Sequence, residues 1–264
     1  MNETVHDGMM LEIKGLSVGY RQPKGEVPAL RDVSFAVPRS GTCALIGPSG
    51  CGKSTLLYVL SGLLKDFGGQ VIVDGAPVTS LRRQTALILQ DYGLLPWKKV
   101  YDNVALGLEI RGVAKDEQRE RIRRVLTEVG LWEMHDRYPS QLSGGQRQRT
   151  GIARALAMQP DLLLMDEPFS SLDALTREHL QGLLLDIWNS KRITVVLVTH
   201  SIEEAIFLGQ KIVVLSGHPG QVIDVVENPR VGQKGYRKTT EYHILTSQLR
   251  DKLEQVGTVL NLPG

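Results

Sequence analysis

Thr42-Cys-Ala-Leu-Ile-Gly-Pro-Ser-Gly-Cys-Gly-Lys-Ser-Thr55 is the stretch on which the fold turns. The four apolar side chains from Cys43 to Ile46 read as a short buried strand that stops at Gly47. A helix is expected from Lys53 through about Leu63, before a glycine and a polar segment. Between them, Gly47, Pro48, Ser49, Gly50, Cys51, Gly52, Lys53, Ser54 and Thr55 fit the pattern G-x-x-x-x-G-K-[ST]. Glycines at 47, 50 and 52 let the backbone fold around an anion with no Cβ in the way. The loop amides and the positive end of the following helix then face one point. Lys53 supplies a mobile charge for β- and γ-phosphates, and Ser54 offers a hydroxyl to Mg²⁺.

Outward from this loop, the N-terminal side reads as β. Leu11, Ile13 and Leu16 open a pattern that runs to Tyr20, and Leu30, Val33, Phe35 and Val37 form a second stretch. Val71-Ile-Val73 and Ala86-Leu-Ile-Leu89 are further short strands. From Asp102 to Met158 the pattern is mostly helical, with Ile122, Val125, Leu126 and Val129 at helical spacing and Arg119, Arg121, Arg123 and Arg124 on a solvated face. After Pro160 the β signal returns at 162–165, 193–198 and 212–215, with helices between at roughly 174–189 and 201–209. Alternation of this kind implies a parallel sheet covered on both faces. The fold class is therefore α/β, with a helical subdomain at about 95–159 inserted in a domain spanning 1–228. Residues 229–264 form a tail with an amphipathic helix expected over Tyr242 to Val256.

Composition narrows the function classes. The 264 residues are 23% charged and 42% hydrophobic, as in ordinary globular proteins. The longest uninterrupted apolar run, Leu56 to Leu60, has five residues, whereas a membrane-spanning helix needs about 20. The first residues lack a charged start followed by an apolar stretch, so no secretory signal is expected. A formal charge of +2 gives no case for nucleic acid as a partner. Two cysteines, Cys43 and Cys51, make no disulfide framework and suit a reducing cytosol.

A phosphate loop of this type needs an acidic residue for the metal on a neighbouring strand. Asp166 ends the apolar run 162–165, at the carboxyl end of a strand, where ligands of open α/β sheets bind. Glu167 follows at once, and two adjacent carboxylates are costly to hold unless a cation or proton is present. Asp166 is read as a ligand of Mg²⁺ and Glu167 as the group that orients or deprotonates the attacking water.

Leu142-Ser-Gly-Gly-Gln-Arg-Gln-Arg149, leading into a helix from Thr150 to Met158, resembles the LSGGQ signature of ABC-type ATPases. Further segments resemble that family's remaining motifs in order: Gln90 its Q-loop, Ser171-Leu-Asp173 its D-loop, and His200 its switch histidine. Tyr20 lies where the family has an adenine-stacking aromatic. The resemblance covers about residues 10 to 226 and implies a P-loop NTPase with a RecA-like parallel-sheet core and an N-terminal antiparallel β region. It implies ATP and Mg²⁺ as cofactors and a homodimer in which Ser143, Gly144, Gly145 and Gln146 of one copy close on the γ-phosphate held by the other. His200 would contact that phosphate, Asp173 the opposite subunit, and Gln90 both the metal region and the helical insert.

Asp91-Tyr-Gly-Leu-Leu-Pro-Trp97 is similar to the importers of nitrate, sulfonate, taurine and related solutes. That subgroup implies an ATP-hydrolysing subunit at the cytoplasmic face of the membrane, two transmembrane permease subunits, and a solute-binding protein in the same system. Leu94, Leu95 and Trp97 are read either as a groove wall for a helix of the membrane partner or as ordinary core. Three departures stand out: Lys98-Lys99 where one charge at most is expected, Ser171 where alanine is more usual, and Thr150 where an aliphatic residue is more usual. The alternative is a soluble ABC ATPase acting on nucleic acid or ribosomes. Such relatives usually carry a long coiled-coil insert or a second cassette, and this sequence has neither.

Overall fold

The computed structural model describes residues 8–260 apart from 24 and 234. Residues 1–7, on which the reading of a start without a signal rests, lie outside the described residues, as do 261–264 at the end of the tail. The core is a six-stranded sheet built from β3 (Thr42–Ile46), β6 (Thr85–Ile88), β7 (Leu162–Asp166), β8 (Thr194–Val198), β9 (Lys211–Leu215) and β10 (Val222–Glu227). Its order is β10-β9-β3-β8-β7-β6, parallel throughout except for the antiparallel pair β9–β10.

Side-chain alternation explains why these strands read as unbroken apolar runs. Cys43 and Leu45 of β3 face one hydrophobic cluster, and Ala44 and Ile46 face the other. The same split divides Leu162 and Leu164 from Leu163 and Met165 on β7. With both faces covered there is no solvent side to demand polar residues.

A second sheet of order β2-β1-β4-β5 covers one face. It consists of β1 (Met9–Gln22), β2 (Gly25–Pro38), β4 (Gly68–Val73) and β5 (Ala76–Pro77), all antiparallel. Helix α1 (Lys53–Leu60) buries Leu56, Leu57, Val59 and Leu60 in the cluster these strands share with the main sheet. It ends before the expected Leu63, because Gly62 leaves the helix at φ +77°.

The opposite face is covered by α2 (Val100–Ile110), α3 (Lys115–Glu128), α4 (Gly144–Ala157), α5 (Ala174–Lys191) and α6 (Ile202–Leu208). Arg119, Arg123 and Arg124 of α3 are exposed and Arg121 is half-buried beside Glu117, as a solvated face requires. Helix α3 also carries Asp116 and Glu117 in its first turn, where the helix dipole favours acids.

The tail helix α7 (Thr240–Leu260) is longer at both ends than the sequence pattern indicates, and it packs against α6. Asn228 joins the two regions. Its amide donates to the carbonyls of Ile206 (2.7 Å) and Gly209 (2.9 Å), satisfying the end of α6, and its Oδ1 accepts from the Tyr236 hydroxyl (2.7 Å). Tyr236 and Tyr242 meet edge to face at 5.4 Å between ring centroids.

Candidate active site

Strand β3 delivers the chain to Gly47 at the carboxyl edge of the sheet, and α1 carries it away from Lys53. Gly52 has φ +95°, and a Cβ there would stand 2.7 Å from the Ala29 carbonyl oxygen, so no larger residue fits the turn. Lys53 is buried, and its ammonium donates to the carbonyls of Gly47 and Pro48, each at 2.8 Å. Those two bonds offset part of the desolvation of the charge and hold it within the curl of the loop. Cys51 lies beneath the loop, where burial pushes its thiol upward; Cys43 is pushed up to about 12 for the same reason. Both cysteines are free.

Asp166 at the end of β7 is buried and lines the larger cleft with the Ser54 side chain. Burial raises its carboxyl above the ordinary range, and the Ser54 hydroxyl works against that rise. Glu167 follows with φ +44°, a left-handed conformation uncommon for a side chain of this size. Its amide donates to the Val198 carbonyl (3.0 Å), so β8 holds the strained residue in place. The turn aims Glu167 Oε2 at His200 Nδ1, 3.2 Å away just beyond the end of β8.

Two clefts open on this edge. The larger, about 650 Å³, is lined by Ser54, Gln90, Asp166, Ser170 and Ser171 among others. The smaller, about 330 Å³, is lined by Tyr20, Ser49, Lys53, Thr55, Glu167 and His218 among others. Tyr20 is 41% exposed, and its hydroxyl lies 3.0 Å from Thr55 Oγ1. β6 stops at Ile88, one residue before the expected Leu89, so Gln90 sits two residues past the strand. The structure thus gathers Tyr20, residues 47–55, Gln90, Asp166, Glu167 and His200 at one edge.

Ser143, Gly144, Gly145, Gln146 and Asp173 line neither cleft. Ser143 caps α4: its Oγ accepts from the Gln146 amide (3.3 Å) while Gln146 Oε1 accepts from the Ser143 amide (2.9 Å). Gly145 is needed because a Cβ there would stand 2.4 Å from Thr176 Cγ2 on α5. Asp173 caps α5 by accepting from the Thr176 amide (3.0 Å), which holds its carboxyl below the ordinary range. The unusual Thr150 is buried and donates to the Gln146 carbonyl (2.8 Å).

Sequence reasoning left His218-Pro-Gly220 and β10 without a place in the site. Gly220 runs against the phosphate loop so closely that a Cβ would stand 2.0 Å from the Cys51 carbonyl oxygen. Its amide donates to Ala29 (2.9 Å) and its carbonyl accepts from Arg31 (2.9 Å), so this segment laces β2 to the loop. Its Pro-Gly pair marks a turn in the sequence, with nothing local to say what the turn would touch.

The family description "ABC transporter" matches residues 30–170. This chain belongs to the ABC transporter family. It is similar to a protein named taurine import ATP-binding protein TauB from Pseudomonas aeruginosa, 46% identical over 81% of this chain and 81% of that protein. A protein of the same name from Rhizobium johnstonii is 43% identical over 94% of this chain and 96% of its own length. Among solved structures, the dimeric ATP-binding cassette MJ0796 bound to ADP and Pi has a TM-score of 0.74 at 32% identity, covering 83% of this chain and 98% of that one. The cbiO1 chain of Clostridium perfringens, part of the ABC transporter complex cbiONQ, has a TM-score of 0.77 at 26% identity, covering 97% and 100%. The chain is an ATP-binding, ATP-hydrolysing subunit of the ABC type with the P-loop fold of these cassettes. Among the described residues no helix is long and apolar enough to cross a membrane.

Proposed function

We infer that this chain powers import of a small solute of the nitrate, sulfonate or taurine class through two separate permease subunits. The observation that carries the reading is the division of the motif residues. The phosphate loop, Asp166, Glu167 and His200 share one edge, while the Ser143 helix cap faces neither cleft of its own chain. A helix N-terminus is an anion site in need of an anion. In a head-to-tail homodimer, Ser143, Gly144, Gly145 and Gln146 of one copy close on the γ-phosphate bound by residues 47–55 of the other. Asp173 then touches the opposite subunit.

Lys53 contacts the β- and γ-phosphates, Glu167 takes the proton of the attacking water, and His200 holds Glu167 and meets the γ-phosphate. Tyr20 stacks on the adenine. The hydroxyl of Ser54 and the carboxylate of Asp166, which line the same cleft, are a hard oxygen pair suited to Mg²⁺, with Gln90 beside them. Among the described residues no group of three or more His, Cys, Asp or Glu side chains could hold a metal, so the ion depends on phosphate oxygens as well. A Mg²⁺ ion held by Ser54 and Asp166 would supply charge neutralisation to the phosphate groups.

Residues 1–228 make up the ATPase unit, with the insert at about 95–159 as its membrane-facing arm and 229–264 as an appendage. Trp97 is 71% exposed, and Leu94 and Leu95 are half-buried, which supports the groove-wall reading over the core one. Asn103 fixes that loop: its Nδ2 donates to Leu95, Lys98 and Lys99 carbonyls and its Oδ1 accepts from the Leu95 amide (2.8 Å). The loop is then preorganised for a short helix of the permease, placing the protein on the cytoplasmic face of the membrane, with a solute-binding protein completing the system.

Co-expression with permease chains of a taurine, sulfonate or nitrate importer from the same genome tests this reading. The complex is expected to co-purify, and Trp97→Ala is expected to weaken it. Adding the solute-binding protein with taurine, a sulfonate or nitrate should raise ATP turnover. No co-purification and no response to any of these solutes would overturn the assignment.

A further inference from the structure

Tyr92 follows Gln90 by two residues and is held where local preference would not place it. Its φ is +65°, in the left-handed region that a bulky side chain avoids, yet the residue is only 7% exposed. Three contacts hold it. Arg154 of α4 donates to the Tyr92 carbonyl (2.6 Å) and to the Gly93 carbonyl (2.5 Å). Gly151, one turn earlier on α4, lies alongside Tyr92, where an added Cβ would make ordinary contact with Tyr92 Cβ at 3.6 Å. The phenol hydroxyl is hydrogen-bonded to Ser171 Oγ. Ser171 lies between Glu167 and Asp173, and it lines the larger cleft together with Tyr92, Ser54, Gln90 and Asp166.

We propose that Tyr92 is a positioning residue for ATP hydrolysis: its hydroxyl fastens the segment carrying Gln90 to the segment running from Glu167 to Asp173. The metal-facing wall of the cleft and the water-activating wall then move as one body, and α4, which carries the Ser143 cap, is tied to both through Arg154. The inference rests on the roles given above to Gln90, Glu167 and Asp173. It also gives the serine at 171 a purpose, because alanine there offers Tyr92 no partner.

The test uses the full chain with Mg-ATP and four variants: Tyr92→Phe, Ser171→Ala, the two combined, and Ser171→Thr. Loss of one neutral hydrogen bond that aligns the reacting groups is expected to lower kcat about three- to ten-fold with KM unchanged. The combined variant should be no slower than either single one, because both remove the same bond. Ser171→Thr keeps a hydroxyl and should keep turnover. Amide hydrogen exchange, read without nucleotide, should rise in both 89–94 and 168–173 in either single variant. Unchanged kcat in Tyr92→Phe, additive losses, or exchange that rises only around the substituted residue would overturn the link. If the roles of Gln90 and Glu167 were wrong, Glu167→Gln would hydrolyse ATP normally, and the exchange pattern would still decide whether the two segments are joined.

Discussion

His200 Nδ1 lies 3.2 Å from Glu167 Oε2, and the two side chains meet from the ends of adjacent parallel strands. The register pairs Asp166 with Val198, so Glu167 follows its strand end by one residue and His200 follows its own by two. A left-handed turn at Glu167 then swings its carboxylate toward the histidine.

Glu167→Gln keeps the shape of the side chain and removes the carboxylate to which the base role is assigned. Hydrolysis is expected to fall by about 100-fold or more while ATP affinity is kept. Phosphate release and nucleotide titration on the same preparation check this. Near-normal turnover would remove Glu167 from that role.

Lys53 has no other cation beside it in the loop to take over its charge-assisted bonds. Lys53→Ala is expected to weaken binding of a non-hydrolysable ATP analogue by about ten-fold or more. Titration with the analogue separates this loss from any effect on chemistry, and an unchanged Kd would count against the phosphate site.

Gly145 and Thr176 set how closely α4 approaches α5. Gly145→Ala forces a methyl against Thr176 Cγ2 and is expected to destabilise the fold by about 1–3 kcal/mol. Thr176→Ser in the same chain removes the opposing methyl and should restore most of the loss. Thermal melting of both variants decides the matter; a single variant as stable as the parent would show that the helices can part freely.

Asp74 lies between Arg39 and Arg82, and Arg82 reaches on to Asp161 (2.6 Å) beside the start of β7. The hydrogen bond from Arg39, with help from Arg82, holds the Asp74 carboxyl below the ordinary range. A depressed carboxyl contributes stability above its unfolded pKa and loses it as pH falls through the folded value. Asp74→Asn is therefore expected to melt lower than the parent at neutral pH, with the gap closing below about pH 4. These groups are partly exposed, so the difference is expected to be about 0.2–1 kcal/mol and to shrink in salt. Melting curves across pH measure it, and a gap that does not change with pH would exclude this ion pair as its source.

Much of the site is legible in the sequence because its signals are local. The curl from Gly47 to Thr55, the carboxylates ending β7 and the Ser143–Gln146 cap each depend on residues within a few positions of one another. Other features carry no such signal. β10 alternates only weakly and owes its existence to pairing with β9. Asn228 reads as the polar last residue before the tail, yet it is buried and closes the end of α6. Tyr92 and Ser171 are separated by 79 positions, and nothing in either neighbourhood points to the other.

The sequence by itself determined the α/β alternation, the phosphate loop and the pair of carboxylates at the end of β7, since strand period, helix caps and glycine turns are encoded over a span of a few residues. Only the tertiary structure decided which of those ends stand side by side, that His218-Pro-Gly220 braces the loop, and that the Ser143 cap opens into neither cleft of its own chain. Those outcomes depend on strand order and helix packing, which the burial of both sheet faces fixes across separations that local periodicity does not span.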